Sequence, residues 1–168
     1  MKKILYTLAL AAALTSCVGS YNVEGSSSIT ALDGSKLYLK AIKNNQLKNL
    51  DSCEVVHGEF HFSGTLDSIR MASLYMDDES VMPIVLEKGD IVVKIEAGRQ
   101  IVSGTPLNDS LYVFIEEHNR LSNQMNELSH KQSKMLLDGI DEAAINEQLS
   151  LEAAKIASDE DRLVTKFI

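Results

Sequence analysis

The spacing of hydrophobic residues changes once along the chain, at Gly104, and this change constrains the fold more than any other feature. Before it, short runs of alternating apolar and polar residues are separated by turn signals, as in β-strands. Asp33-Gly34 is a hairpin-type turn signal, and Asn44-Asn45 predicts another turn. After it, apolar residues recur every three or four positions, as in amphipathic helices. The sequence therefore predicts an α+β protein with a β-rich part followed by helices.

Seven or eight short strands are predicted within residues 21–105. Ser26-Ser27-Ser28 is predicted to end the first of them as a loop. The clearest hairpin signal is the pair of apolar runs Pro83–Glu87 and Ile91–Ile95, which flank the turn residues Lys88-Gly89-Asp90. Short strands with regularly spaced turns favour an antiparallel, β-sandwich-like domain.

Residues 106–168 are predicted to form a two-helix segment. Thr105 offers a capping hydroxyl, and Pro106 suits the first helical turn. Gly139 interrupts the helical pattern, and Asp141 can cap the second helix. Two amphipathic helices joined by so short a break predict a helical hairpin.

The N-terminus has the features of an export signal. Two lysines precede an apolar run from Ile4 to Leu14, which is shorter than the roughly 20 residues that span a bilayer. The residues that follow, Leu14-Thr15-Ser16-Cys17, resemble the lipobox of bacterial lipoproteins. An ordinary secretory signal cut near Ala11-Ala12-Ala13 is the alternative.

The lipobox resemblance implies that residues 1–16 are removed and that Cys17 carries lipid through a thioether. Residues 17–20 would then form a lipidated tether, and the acyl chains would hold the protein on a membrane. In that family an Asp after the cysteine signals inner-membrane retention, so Val18 implies an outer-membrane lipoprotein. The lack of acidic residues in Val18–Asn22 favours the periplasmic face.

The charge of the chain argues against nucleic acid as a partner. The net charge of −8 becomes about −10 once the two N-terminal lysines are removed. No stripe of lysine and arginine is present to neutralise phosphates. The overall acidity also disfavours electrostatic docking of the whole domain on anionic lipid.

Three motifs together resemble a known family. They lie within Asp51–Gly64, Leu86–Ile91 and Val102–Asn108. Their order and spacing are similar to those of a β-rich domain of unknown function that precedes thioredoxin-like domains in lipoproteins of Gram-negative anaerobes. The resemblance implies a β-domain behind the lipidated cysteine and a helical stretch leading to a catalytic domain. This chain has no Cys-x-x-Cys pair, so the redox activity does not carry over to it.

Four residues near the middle of the chain are candidates for chemistry. With Cys17 lipidated, Cys53 is the remaining thiol, and we expect a small, packed side chain in preference to a mixed-disulfide partner. His57, Glu59 and His61 supply metal-ligand types. A turn at Gly58 should separate the histidines, so solvent-facing side chains are expected.

The other candidates favour simple structural roles. His118 and His130 lie apart on the predicted helix. Asp77-Asp78-Glu79 lacks calcium-loop spacing and is expected to be a solvated turn, and the serine run lacks a nucleophile elbow.

The sequence predicts a non-catalytic, membrane-anchored periplasmic module that serves binding or assembly. No cofactor and no metal are expected, and a protein partner is expected besides the membrane. The alternative is the N-terminal accessory part of a thioredoxin-like thiol-disulfide oxidoreductase whose catalytic domain is absent from this chain.

Overall fold

A computed structural model describes residues 19–167. The signal segment and Cys17 lie outside this range. The eight strands are β1 Gly19–Ser27, β2 Lys36–Lys43, β3 Gln46–Glu54, β4 Glu59–Leu66, β5 Arg70–Met76, β6 Glu79–Leu86, β7 Gly89–Glu96 and β8 Arg99–Ser103. The two helices are α1 Pro106–Leu137 and α2 Glu142–Phe167. The predicted α+β class, with a β-sandwich-like part followed by a helical hairpin, is confirmed.

The strands form two four-stranded sheets. One sheet has the order β4-β1-β7-β8 and the other β3-β2-β5-β6. All neighbouring strands are antiparallel except β1 and β7, which run parallel. The predicted antiparallel pairing therefore holds for every pair except β1 and β7. These two strands can run parallel because they are far apart in sequence, and the chain enters the other sheet between them.

The predicted hairpin between residues 83–87 and 91–95 is wrong. Strand β6 pairs with β5, whereas β7 pairs with β1 and β8 in the other sheet. The residues Glu87 and Lys88 carry the chain from one sheet to the other. Alternation and turn residues specify where a strand ends, but a short polar turn can join either neighbours in one sheet or strands of two stacked sheets.

Two other turn predictions near the first strand also need correction. Asp33-Gly34 follows a short 3-10 turn, Thr30–Leu32, and joins strands of different sheets, so it is not a hairpin turn. The serine run does not end β1 where predicted, because Ser26 and Ser27 are still paired with β7. By contrast, the turn predicted at Asn44 and Asn45 is present, and it joins β2 and β3 as a hairpin. Both residues have positive φ, 53° and 60°, as a type I′ turn requires.

Each part of the molecule has its own apolar core. The sandwich core takes residues from both sheets and also Leu111 of α1. A second, smaller cluster lies between the helices and consists of Leu121, Leu128, Ile145, Leu149 and Ile156. No helix within residues 19–167 is both long and apolar enough to cross a membrane.

The first strand and the first helix both begin at the same end of the sandwich. Strand β1 begins beside the end of β4, with Gly19 opposite Leu66, and we call this the tether end. Helix α1 also begins there, after β8. It then runs back along β8, because Arg99 at the start of that strand contacts Tyr112 and lies 3.1 Å from Glu116. The remaining two-thirds of α1, about 30 Å at 1.5 Å per residue, therefore projects past the opposite end.

Candidate functional site

The start of α1 is fixed to the sandwich by a carboxylate from another strand end. Oε1 of the buried Glu87 accepts hydrogen bonds from the backbone N–H groups of Leu107, at 2.7 Å, and Asn108, at 3.2 Å. The expected cap, Thr105, stands at the right position, but its hydroxyl accepts from the Asn108 side chain and bonds no helix N–H group. A carboxylate is the stronger acceptor and also complements the positive helix end.

Asn108 joins the helix to the edge of a sheet. It is fully buried, its Oδ1 accepts from the Val85 N–H at 2.8 Å, and its Nδ2 donates to the Val85 C=O at 2.7 Å. The carboxamide thus pairs with edge strand β6 as a neighbouring peptide group would. Two of the three family-like motifs, which are separated in sequence, meet at this joint.

The backbone at Gly104 approaches β7 too closely for any other residue. A Cβ atom there would lie 2.5 Å from the carbonyl oxygen of Asp90, and its φ is 93°. Glycine is required on both grounds. The joint is therefore a tightly specified structure, and it sets the angle at which the helical hairpin leaves the sandwich.

An apolar groove of about 750 Å³ lies beside this joint, between the sandwich and the helices. Its large apolar side chains are Ile69, Met71, Val85, Leu107, Val113, Phe114, Leu163 and Phe167. Several remain open to solvent, including Val113 at 64%, Ile69 at 62% and Met71 at 52% exposed. A cluster of large exposed apolar side chains of this kind marks a binding surface.

The groove has an aromatic wall and charged edges. The Phe114 and Phe167 rings lie 4.4 Å apart between their centroids and join the two helices. Arg70, Lys166 and Asp109 also line it. Arg70 is paired with Asp67, while its buried Nε has no hydrogen-bond partner among residues 19–167.

Cys53 lies in β3, half buried, and packs against the sandwich core. Burial raises the pKa of its thiol, Asp51 raises that pKa further, and a hydrogen bond with the His61 backbone lowers it. A raised pKa reduces the thiolate fraction, and the thiolate is the reactive form. This environment favours a packing role for Cys53.

The predicted metal-ligand types share one cleft. His57, Glu59, His61 and Cys53 line a cleft of about 740 Å³ at the end opposite the tether end. His57 sits in the turn, with φ of 54°, and His61 on β4 bonds Asn22. Within the described part of the chain, no three His, Cys, Asp or Glu side chains are grouped so as to hold a metal ion.

The remaining candidates lie apart. His118 of α1 is 3.2 Å from Glu160 of α2, a contact between helices that the sequence did not indicate. His130 is exposed on α1. The acidic residues at 77–79 form the β5–β6 turn and the start of β6, and the serines lie at the end of β1.

The fold and joint define a β-sandwich domain with an attached helical hairpin. The chain belongs to the family described as Domain of unknown function (DUF4369), whose model matches residues 21–111, more than half of the sequence. The match ends at Leu111, a helix residue that is buried in the sandwich core. No curated protein matches the chain. The resemblance to a β-rich domain of unknown function is confirmed; the lipobox and the thioredoxin association stay predictions.

Sequence reasoning missed the capping role of Glu87 and the whole groove. Glu87 and Asn108 lie inside motifs that carry the family resemblance. The motifs therefore marked these residues, but they did not indicate that Glu87 caps the helix or that Asn108 pairs with β6. The groove had no signal, because its walls come from segments far apart in sequence.

Proposed function

We propose that this chain is a lipoprotein anchored through Cys17 in the outer membrane, facing the periplasm, and that it is a non-catalytic module that binds a protein partner. The lipobox-like sequence before Cys17 supports the anchor. The first described residue, Gly19, lies at the tether end of the sandwich, where an anchor two residues earlier would hold it.

The apolar groove carries the binding part of the proposal. Burying apolar side chains contributes about 25 cal/mol per Å², so a surface with Val113, Ile69 and Met71 exposed gains free energy when it is covered. Several groove side chains are more than half exposed to solvent, which suits a protein segment better than a small ligand that needs most of its surface enclosed.

The charges at the groove select the kind of segment. Arg70, Lys166 and Asp109 line it, and Arg70 is already paired with Asp67, so Lys166 is the lining cation without an ion pair among residues 19–167. An apolar segment with an acidic residue beside it would match both the apolar walls and Lys166. We therefore propose a protein partner that presents such a segment.

A photo-crosslinking amino acid at position 113 tests this proposal in intact cells. We expect a discrete crosslinked product, because Val113 lines the groove and is 64% exposed. Val56, 55% exposed near the other end of the sandwich, is the matched control position and should give no such product. The added substitution Met71→Asp should abolish the product at position 113. Equal crosslinking at 113 and 56, or none at 113, would refute groove binding.

The second candidate function is an accessory role beside a thioredoxin-like oxidoreductase. The order of the three motifs supports it, since it resembles the order in thioredoxin-associated lipoproteins. Burial raises the pKa of Cys53 and so lowers its thiolate fraction, which fits an accessory role in which another domain supplies the reactive thiols. The coding sequence after the Ile168 codon separates the candidates: an in-frame Cys-x-x-Cys domain supports the accessory role, and a stop codon supports the binding module.

A further inference from the structure

The turn between β2 and β3 forms an arm in which every residue is exposed. Every residue from Ile42 to Leu50 is exposed, whereas Ala41 just before them is buried in the sandwich. We call residues 42–50 the β2–β3 arm. Its two strands pair with one another, and β2 pairs with β5 only as far as Ala41. The arm therefore extends beyond the body of the domain.

Two large aliphatic side chains stand opposite each other near the tip of the arm. Ile42 is paired with Leu47 across the hairpin, and they are 72% and 53% exposed. Directly opposed residues share one face of a hairpin, so these two form a small apolar surface. The sandwich leaves most of both side chains uncovered, so they are available to a surface outside the domain.

The arm also has a charge opposite to that of the chain. Residues 42–50 contain Lys43 and Lys48 and no acidic residue, although the net charge of the whole chain is −8. Lys43 and Lys48 lie on the face opposite the aliphatic pair, because side chains alternate along each strand. A cationic, aliphatic tip is the composition of a segment that sits in a membrane interface.

The arm lies at the end of the sandwich from which the anchor would emerge. Lys43 and Leu66 line one cleft of about 500 Å³, and Leu66 is the partner of Gly19 in the first strand pair. Cys17 precedes Gly19 by two residues, which span at most about 7 Å when extended. A bilayer holding lipid on Cys17 would therefore meet this end of the domain.

We propose that the β2–β3 arm inserts into the bilayer interface beside the anchor, with Ile42 and Leu47 among the upper acyl chains. Lys43 and Lys48 then contact the phosphates of anionic phospholipids. This inference rests on the proposed lipid anchor. The arm fixes the orientation of the domain, so that the helical hairpin points away from the membrane. The overall acidity of the chain does not oppose this contact, because the arm itself is cationic.

The chain has no tryptophan, so the fluorescence of a single introduced tryptophan reports the environment of that position alone. The test uses the variant Leu47→Trp in a protein that starts at residue 18 and carries an N-terminal histidine tag. The tag binds the protein to vesicles that contain a nickel-chelating lipid, phosphatidylethanolamine and brominated phosphatidylglycerol. The bromine atoms quench the fluorescence of a tryptophan that enters the bilayer. Leu151→Trp is the control, because Leu151 is 82% exposed on α2. We expect quenching at position 47 to exceed that at position 151 by about threefold, with a blue-shifted emission at 47.

Adding Lys43→Glu and Lys48→Glu to the position-47 probe should remove most of that quenching. Equal quenching at positions 47 and 151 would overturn the inference, provided that far-UV circular dichroism shows both proteins folded. Because the histidine tag replaces the acyl chains, the result does not depend on acylation of Cys17. Failure of the arm and failure of the anchor are therefore separate outcomes.

Discussion

Replacing Asn108 with alanine is expected to lower the free energy of unfolding by about 3 kcal/mol. The substitution removes hydrogen bonds to both the N–H and the C=O of Val85 and leaves these two buried groups without partners. It also frees the buried Thr105 hydroxyl, which accepts from the Asn108 side chain. Urea denaturation followed by far-UV circular dichroism measures the change.

The matched control is Asn126→Ala, which changes the same residue type at an exposed position of α1. Its effect should stay within about 0.5 kcal/mol. Equal stabilities for the Asn108 and Asn126 variants would mean that the joint between helix and sandwich does not depend on this side chain.

Replacing Ile145 with aspartate is expected to unfold the helical hairpin and leave the sandwich folded. Ile145 is fully buried in the small cluster between the helices, so an aspartate there buries a charge at a cost of about 4 kcal/mol or more. The sandwich has a separate core, so the damage should stay local. Hydrogen exchange should show loss of protection in α2 and retained protection in β7.

Leu151→Asp is the control for this effect, because Leu151 lies on the same helix and is 82% exposed. It should leave the exchange of α2 nearly unchanged. Loss of protection in β7 together with α2 in the Ile145 variant would show that the molecule has one cooperative core and not two.

Local patterns were enough to predict the elements of this fold. The alternation before Gly104 and the three- to four-residue period after it predicted a strand-rich part and both helices, although β1 continues into the serine run that was predicted to end it. The turn at Asn44-Asn45 was also predictable, because its geometry needs residues that tolerate positive φ. These features depend on neighbours in sequence.

The pairing of strands and the contents of the site were not predictable in this way. The residues around Gly89 indicate a turn, but not that β7 joins β1 in the other sheet. Thr105 was the predicted cap of the helix, but Glu87 caps it, because the fold brings this stronger acceptor to the first N–H groups of the helix. Such choices depend on residues that meet only after folding.

Acylation of Cys17 is the claim on which the anchor, the orientation and the membrane contact depend. The direct measurement is mass spectrometry of the N-terminal peptide from protein purified from cell membranes, together with fatty-acid labelling of Cys17→Ser. We expect a peptide that begins at Cys17 and carries a diacylglyceryl group, and complete loss of label in the serine variant. An unmodified peptide that begins elsewhere, or unchanged labelling of Cys17→Ser, would contradict a lipid anchor at this residue.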